Sequence, residues 1–107
     1  VDAIIVPEAT CSAMMNTDWV HYLHDQPQWL KRAEKLAPKI IMATKWLHDN
    51  TKLQALLKDT NYKSDEIITY HNPCHAKKMQ GIEKEPRELL KPNYTIDEMS
   101  DPDVCCG

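Results

Sequence analysis

The sequence has no phenylalanine, and only two glycines against seven prolines. Ordinary usage puts glycine at about 7% and above proline, so most turns here form without the residue best suited to left-handed backbone. No apolar run approaches the roughly 18 residues of a transmembrane helix, which points away from direct membrane insertion. An excess of basic charge is missing too: 13 Lys and Arg against 16 Asp and Glu leave a net charge of −3. Nucleic acid, which demands a basic face, is therefore excluded as a partner. Internal repeats and low-complexity tracts are absent. A hydrophobic share of 42% with 27% charged residues excludes disorder, and 107 residues make one small domain. Scarce glycine in such a chain predicts a helix-rich protein. Its unusual possession is four cysteines.

Residues 3–7 are predicted to form a buried strand ended by Pro7. Cys11, Met14, Met15, Trp19, Tyr22 and Leu23 recur at three- and four-residue spacing, which predicts a helix with Thr10 as its cap. A second helix runs from Pro27 to Leu36 and stops at Pro38. Ile40, Ile41 and Met42 fit either a strand or the entry to the next helix. Thr44 is read as the cap of an amphipathic segment reaching Leu57, with a break at Asn50 and Thr51. A second strand is predicted at 66–71, helix starts at His75 and around Pro86, and a third strand at 94–99 before a turn. Strands separated by helices pair by crossover. The expected fold class is α/β, a small parallel sheet layered with helices.

Cys11, Cys74 and the pair Cys105 and Cys106 each follow a predicted strand. Ligands gather at the carboxyl ends of parallel strands, so three strand ends are expected to bring thiols to one edge. Cys11 and Cys74 also fall at expected helix N-termini, where the helix dipole favours the thiolate that metals need. Adjacent cysteines rarely bridge each other, since Cα atoms about 3.8 Å apart fall short of the roughly 4.4 Å a disulfide requires. They also chelate a single tetrahedral ion poorly, because zinc ligands come with spacer residues between them. A cluster of several irons takes adjacent thiolates readily. Iron–sulfur is therefore the first expectation, zinc the second and disulfides the last.

Each candidate has a plainer reading beside it. Cys11 also fits a small hydrophobe at a helix start. His71 and His75 flank Cys74, and Glu8 follows the first strand; all three are candidate ligands or proton carriers, weighed against local hydrogen bonding. His21, His24 and His48 read as helix-surface residues. Trp19, Trp29 and Trp46, with Met14, Met15, Met42 and Met79, read as core in a chain that lacks Phe. Arg87 between Glu85 and Glu88 reads as a solvated helix face, and Lys77 with Lys78 as a short surface charge pair. No catalytic acid, base or nucleophile is assigned.

The stretches Tyr70-His-Asn-Pro-Cys74-His75, Gly81-Ile82, Glu85-Pro-Arg-Glu-Leu-Leu90 and Cys105-Cys106-Gly107 together resemble the cysteine-rich CCG domain. That family includes the cysteine-rich subunit of heterodisulfide reductase and the iron–sulfur subunits of glycolate oxidase, lactate utilisation and anaerobic glycerol-3-phosphate dehydrogenase. It also includes subunits of sulfate-reducer membrane redox complexes, which Met79-Gln-Gly-Ile and Glu98-Met-Ser-Asp-Pro resemble most. Val6-Pro-Glu8-Ala-Thr-Cys11 is similar to the end of the family's preceding half, with Glu8 standing in place of a cysteine.

The resemblance implies an electron-transfer domain of an iron–sulfur oxidoreductase. It carries Cys74, Cys105 and Cys106 over as ligands of a noncubane cluster of the [4Fe–4S] type, with Cys11 a further candidate. The implied location is cytoplasmic, in some branches at the cytoplasmic face of a membrane complex. Implied partners are a ferredoxin-like domain, a flavoprotein, or a membrane cytochrome or quinone subunit. The family's later C-x-x-C does not occur in these residues, and Val1 opens inside an apolar run. Residues 1–107 are accordingly expected to be one cysteine-rich domain taken from a longer iron–sulfur subunit. The competing expectation is a non-catalytic scaffold or subunit-interaction domain whose cysteines hold zinc or no metal.

Overall fold

A computed structural model describes residues 1–105, and the chain divides into two compact units, Val1–Ala43 and Thr44–Gly107. In the first unit, β1 (Ile4–Val6) and β2 (Ile40–Met42) pair in parallel, with Ile4, Ile5 and Val6 opposite Ile40, Ile41 and Met42. Parallel pairing needs a crossover between the strands. Here it is a helical run of α1 (Ala9–Ala13), a π-helical turn (Met14–Asp18) and α2 (Trp19–Tyr22), then α3 (Pro27–Leu36) and a 3₁₀ turn at Ala37–Lys39. Pro27 sits in the first turn of α3, where its missing N–H leaves no bond unmade. Ile40–Met42 is thus a strand, made one by a partner 36 residues away in sequence.

The cap of α1 is Glu8, not Thr10. Glu8 is extended (φ −107, ψ 133) and its carboxylate accepts from the Cys11 N–H at 2.7 Å, which leaves Thr10 inside the helix. α1 packs on both strands. The buried apolar residues of this unit are small or aliphatic, Val6, Ala9, Ala13, Ala33, Ile40 and Met42. The expected tryptophan core is not built: Trp19 and Trp29 are 36% and 46% exposed, and Met14 is exposed as well. A pair of three-residue strands offers too little area to cover an indole. Trp29 instead carries the Arg32 guanidinium 4.9 Å above its ring.

The second unit contains α4 (Ala43–Asn50), which starts one residue before it, and α5 (Leu53–Asp59). They are separated by the break expected near Thr51, whose hydroxyl accepts from the Leu53 N–H at 3.1 Å. Thr44 does not act as a cap; its hydroxyl is buried with no hydrogen-bond partner among the described residues. β3 (Ile67–Ile68) and β4 (Thr95–Ile96) pair in parallel across α6 (Cys74–Gln80) and α7 (Lys84–Leu90). The α/β class with small parallel sheets therefore stands, but as two sheets of two strands each, not one sheet. The predicted strands 66–71 and 94–99 shrink to two residues each, because the flanking backbone is hydrogen-bonded elsewhere, Asn72 N to Pro102 O among them.

Gly81 ends α6 in the left-handed conformation (φ 67), with Gly81 N bonded to Lys77 O and Ile82 N to Ala76 O, both at 3.0 Å. Ile82 is then tucked in at 2% exposure. A methyl at Gly81 meets nothing within 4 Å, so only backbone strain opposes it. Gly81→Ala should lower stability by about 1 kcal/mol, read as a fall in Tm of roughly 4–8 °C. With glycine scarce, the other positive φ among the described residues falls to Asn61, at 52.

His48 is not a free surface residue. Its ring bonds Asp49 at 2.6 Å and Glu88 through the other nitrogen, linking α4 to α7. The bond to Asp49 raises its pKa, partial burial works against that, and Glu88 adds to the rise. Lys45 bonds Asp49 at 2.7 Å and the buried Glu85 at 2.9 Å. Burial pushes the Glu85 carboxyl up, but Lys45 and backbone N–H groups outweigh it and hold it below the usual range. A raised histidine pKa stabilises fully below its unfolded value of about 6.5, and the gain is lost as pH rises through the folded value. The urea midpoint should therefore fall as pH rises from about 6 into the alkaline range, and His48→Gln should flatten that slope. An equal slope in both chains would remove His48 as its source.

Candidate functional site

Beyond β3 and β4 the chain runs through two loops, 69–73 and 97–105, and each leads to a cysteine. Cys74 opens α6; Cys105 closes the second loop. Strands of two residues cannot fix loops of this length, and side chains do so instead. Asn72, only 2% exposed, lies at the centre. Its backbone N–H donates to Pro102 O at 2.8 Å and its side-chain amide to Asp103 Oδ1 at 2.7 Å, while its Oδ1 accepts from Arg87 Nη1 at 2.6 Å. His71 Nε2 donates to the Val104 carbonyl at 2.5 Å. Lys77, one helical turn after Cys74, donates to Asp103 Oδ2 at 2.6 Å and Glu83 Oε1 at 2.8 Å.

Arg87 supports this frame from α7. Its guanidinium grips Glu98 through Nε and Nη2 at 2.8 and 3.0 Å, reaches the carbonyls of Glu83 and Tyr70, and lies 4.8 Å over the Tyr70 ring. The forked geometry suits arginine and could not be met by lysine. The charges reinforce one another. Lys77, then Asn72, holds the Asp103 carboxyl below its usual range, and Asp103, then Glu83, raises Lys77. Glu98 likewise raises Arg87 and is itself held low by it.

The structure thus brings the approaches to Cys74 and Cys105 together at the ends of one parallel pair of strands. Cys74 is half-buried, with Sγ 3.4 Å from His75 Nδ1, and Cys105 is exposed; neither forms a disulfide. His71 is committed to the Val104 carbonyl through Nε2. Cys106 lies outside the described residues. Cys11 and Glu8 belong to the first unit, where Cys11 is exposed on α1. The backbone N–H groups of Thr10 and Cys11 bring Glu8 down to about 2. Hydrogen bonding to Glu8, with some burial and the carboxylate charge, raises the Cys11 thiol. That is the reverse of the dipole effect expected for this position, because a carboxylate caps the helix end. Glu8 acts as a cap.

Among the described residues no three His, Cys, Asp or Glu side chains form a group able to hold a metal ion, so a zinc set is not supported there. The thiols of Cys74 and Cys105 are soft donors that fit an iron–sulfur group in kind, though two of them do not complete its ligand set. Sequence reasoning missed Asn72, Arg87, Asp103 and Lys77. Arg87, read as solvated, is 8% exposed, and Lys77 closes the loop before Cys105. The available signal was position: Asn72 and Arg87 both fall within the stretches that carry the family resemblance.

Comparison with known proteins agrees with one branch of that resemblance. The chain is similar to lactate utilization protein A. It is 31% identical over 106 residues to the protein of that name from Bacillus thuringiensis (strain Al Hakam), covering 97% of this chain and 42% of the relative. Lactate utilization protein A from Bacillus cereus (strain G9842) is 30% identical over the same shares, and lactate utilization protein A 2 from Bacillus anthracis (strain CDC 684 / NRRL 3495) is 31% identical. The chain spans less than half the length of these relatives. No family model matches it, and no solved structure matches it. Among the described residues, no helix is long and apolar enough to cross a membrane.

Proposed function

We propose that residues 1–107 form a cysteine-rich domain of an iron–sulfur electron-transfer subunit serving lactate oxidation. Cys74, Cys105 and Cys106 are its cluster ligands. The observation that carries this reading is the tie between the two cysteine-bearing loops through Asn72, Pro102 and Asp103. The similarity to lactate utilization protein A supports the choice of lactate over heterodisulfide as the distal substrate. When bound, such a cluster takes up and releases single electrons at a potential set by ligation and burial. The chain's own residues supply the mounting. Cys74 and Cys105 present free thiols, His75 stands beside the Cys74 sulfur, and Arg87 and Asn72 hold the loops. Cys11, its thiol raised by Glu8, is left out of the ligand set. Free thiols suit a reducing compartment, the cytoplasm, and the partners are other redox subunits, a flavoprotein or ferredoxin-like domain among them.

Anaerobic reconstitution with iron and sulfide tests the reading. About four irons with matching sulfide per chain, a broad visible absorption and an EPR signal on reduction are expected. A chain that takes up no iron, or only one tight zinc ion, overturns it in favour of a scaffold.

A further inference from the structure

We infer that Asn72 is the positioning residue for the two thiols, setting the Cys105 loop against the N-terminus of the Cys74 helix before any metal arrives. This deepens the reading above and relies on it only for what the thiols hold. Three segments meet at this one side chain: its own loop before Cys74, the loop before Cys105, and α7 through Arg87. The demand on it is specific. Arg87 requires an acceptor, the Asp103 carboxylate requires a donor, and both must be served from a site that is 2% exposed. A side-chain amide accepts with its oxygen and donates with its nitrogen; a carboxylate or an alkyl group cannot do both. Leucine would take one hydrogen bond from each partner, leaving Arg87 its bonds to Glu98, Glu83 and Tyr70 and Asp103 its bond from Lys77. Aspartate would keep Arg87 but set one carboxylate against another at Asp103.

The pattern can be inverted. In Asn72→Asp/Asp103→Asn the carboxylate at 72 accepts from Arg87 and from the amide now at 103. The new amide's oxygen remains an acceptor for Lys77, which donates to Asp103 at 2.6 Å in the native chain. Arg87, Lys77 and the new amide then each have an acceptor, with the roles of 72 and 103 exchanged. The one contact not recovered is the long bond from the Asn72 amide to Glu83 Oε1 at 3.4 Å, and Glu83 keeps its bond to Lys77.

The test uses metal-free chain in which Cys11 and Cys106 are replaced by serine, so that a short bifunctional maleimide can join only Cys74 to Cys105. The linked product is followed by mass spectrometry, and iron uptake is measured on the same set with all native cysteines present. Asn72→Asp should slow linking about tenfold, the loss of one charge-assisted hydrogen bond, and iron retention should fall in parallel. The double variant should recover most of both. Asp103→Ala, which buries no new charge, should slow linking as well. Linking at the native rate in Asn72→Asp or Asp103→Ala overturns the inference, as does a double variant with a native melting curve that links no faster than Asn72→Asp. If the native chain binds no iron while linking still responds to these variants, the proposed function falls and the positioning role stands.

Discussion

Arg87→Ala is expected to lower the stability of the fold by about 2–4 kcal/mol, among the largest losses any single substitution here should cause. Arg87 is 8% exposed and makes contacts with Asn72, Glu83, Tyr70 and Glu98. The partners do not suffer equally. Glu98 is about half exposed and returns to water at little cost, so its ion pair contributes little by itself. Asn72 cannot do so at 2% exposure, and its oxygen is left buried with its partner gone. Its unmade bond, the carbonyls of Glu83 and Tyr70, and the cavity left under the Tyr70 ring carry the loss. Arg87→Lys should recover only part of it, because an ammonium cannot make the fork. Urea unfolding followed by far-UV circular dichroism would give both values. A loss under about 0.5 kcal/mol for alanine would return Arg87 to the solvated role its sequence suggests.

Cys74→Ser and Cys105→Ser should each weaken iron retention by more than the roughly 10–100-fold that loss of an outer-shell partner costs a metal site. Cys11→Ser should leave it unchanged. A serine hydroxyl stays protonated where a thiol ionises, and it is a hard donor in place of a soft one. Cys74 and Cys105 stand two residues and one residue from the Asn72 and Val104 ties, so each removed thiol leaves a held position with no donor. Cys11 lies in the other unit beside a carboxylate that favours its protonated form. Competition with an iron chelator would rank the three variants. Equal loss in Cys11→Ser and Cys74→Ser would sink the assignment of ligands.

Much of the architecture was legible because local chemistry decided it. Pro27 starts α3, Thr51 breaks the α4–α5 segment, and Gly81 ends α6, each by a rule that involves only near neighbours. Ile40–Met42 was ambiguous because its strand character comes from pairing with Ile4–Val6 across a helical crossover. The predicted strand at 66–71 was too long for a related reason. Alternation of side chains says nothing about where Asn72 N or Tyr70 O finds a partner, and both find one outside the sheet. Of the candidate site, the thiols were visible and their mounting was not. A charged residue between two glutamates has the same one-dimensional signature in water as in a core. Only the convergence of Asn72, Tyr70 and Glu98 on Arg87 tells the two apart.

The clamp around the two loops has a consequence for how the domain responds to its surroundings. Arg87 and Lys77 are pushed toward higher pKa and Asp103 toward lower, each by the partners it grips. All three therefore keep their charges across any acidity a living cell passes through, and the Lys77–Asp103 and Arg87–Glu98 ion pairs do not depend on proton uptake. At the α4–α7 corner Asp49, and then Glu88, raise the His48 pKa against partial burial, so the charge there responds to acidity where that of the Lys77–Asp103 pair does not. In the proposed role, any coupling of proton movement to electron movement is expected at the thiols and their immediate neighbours, while Arg87 and Lys77 stay charged throughout.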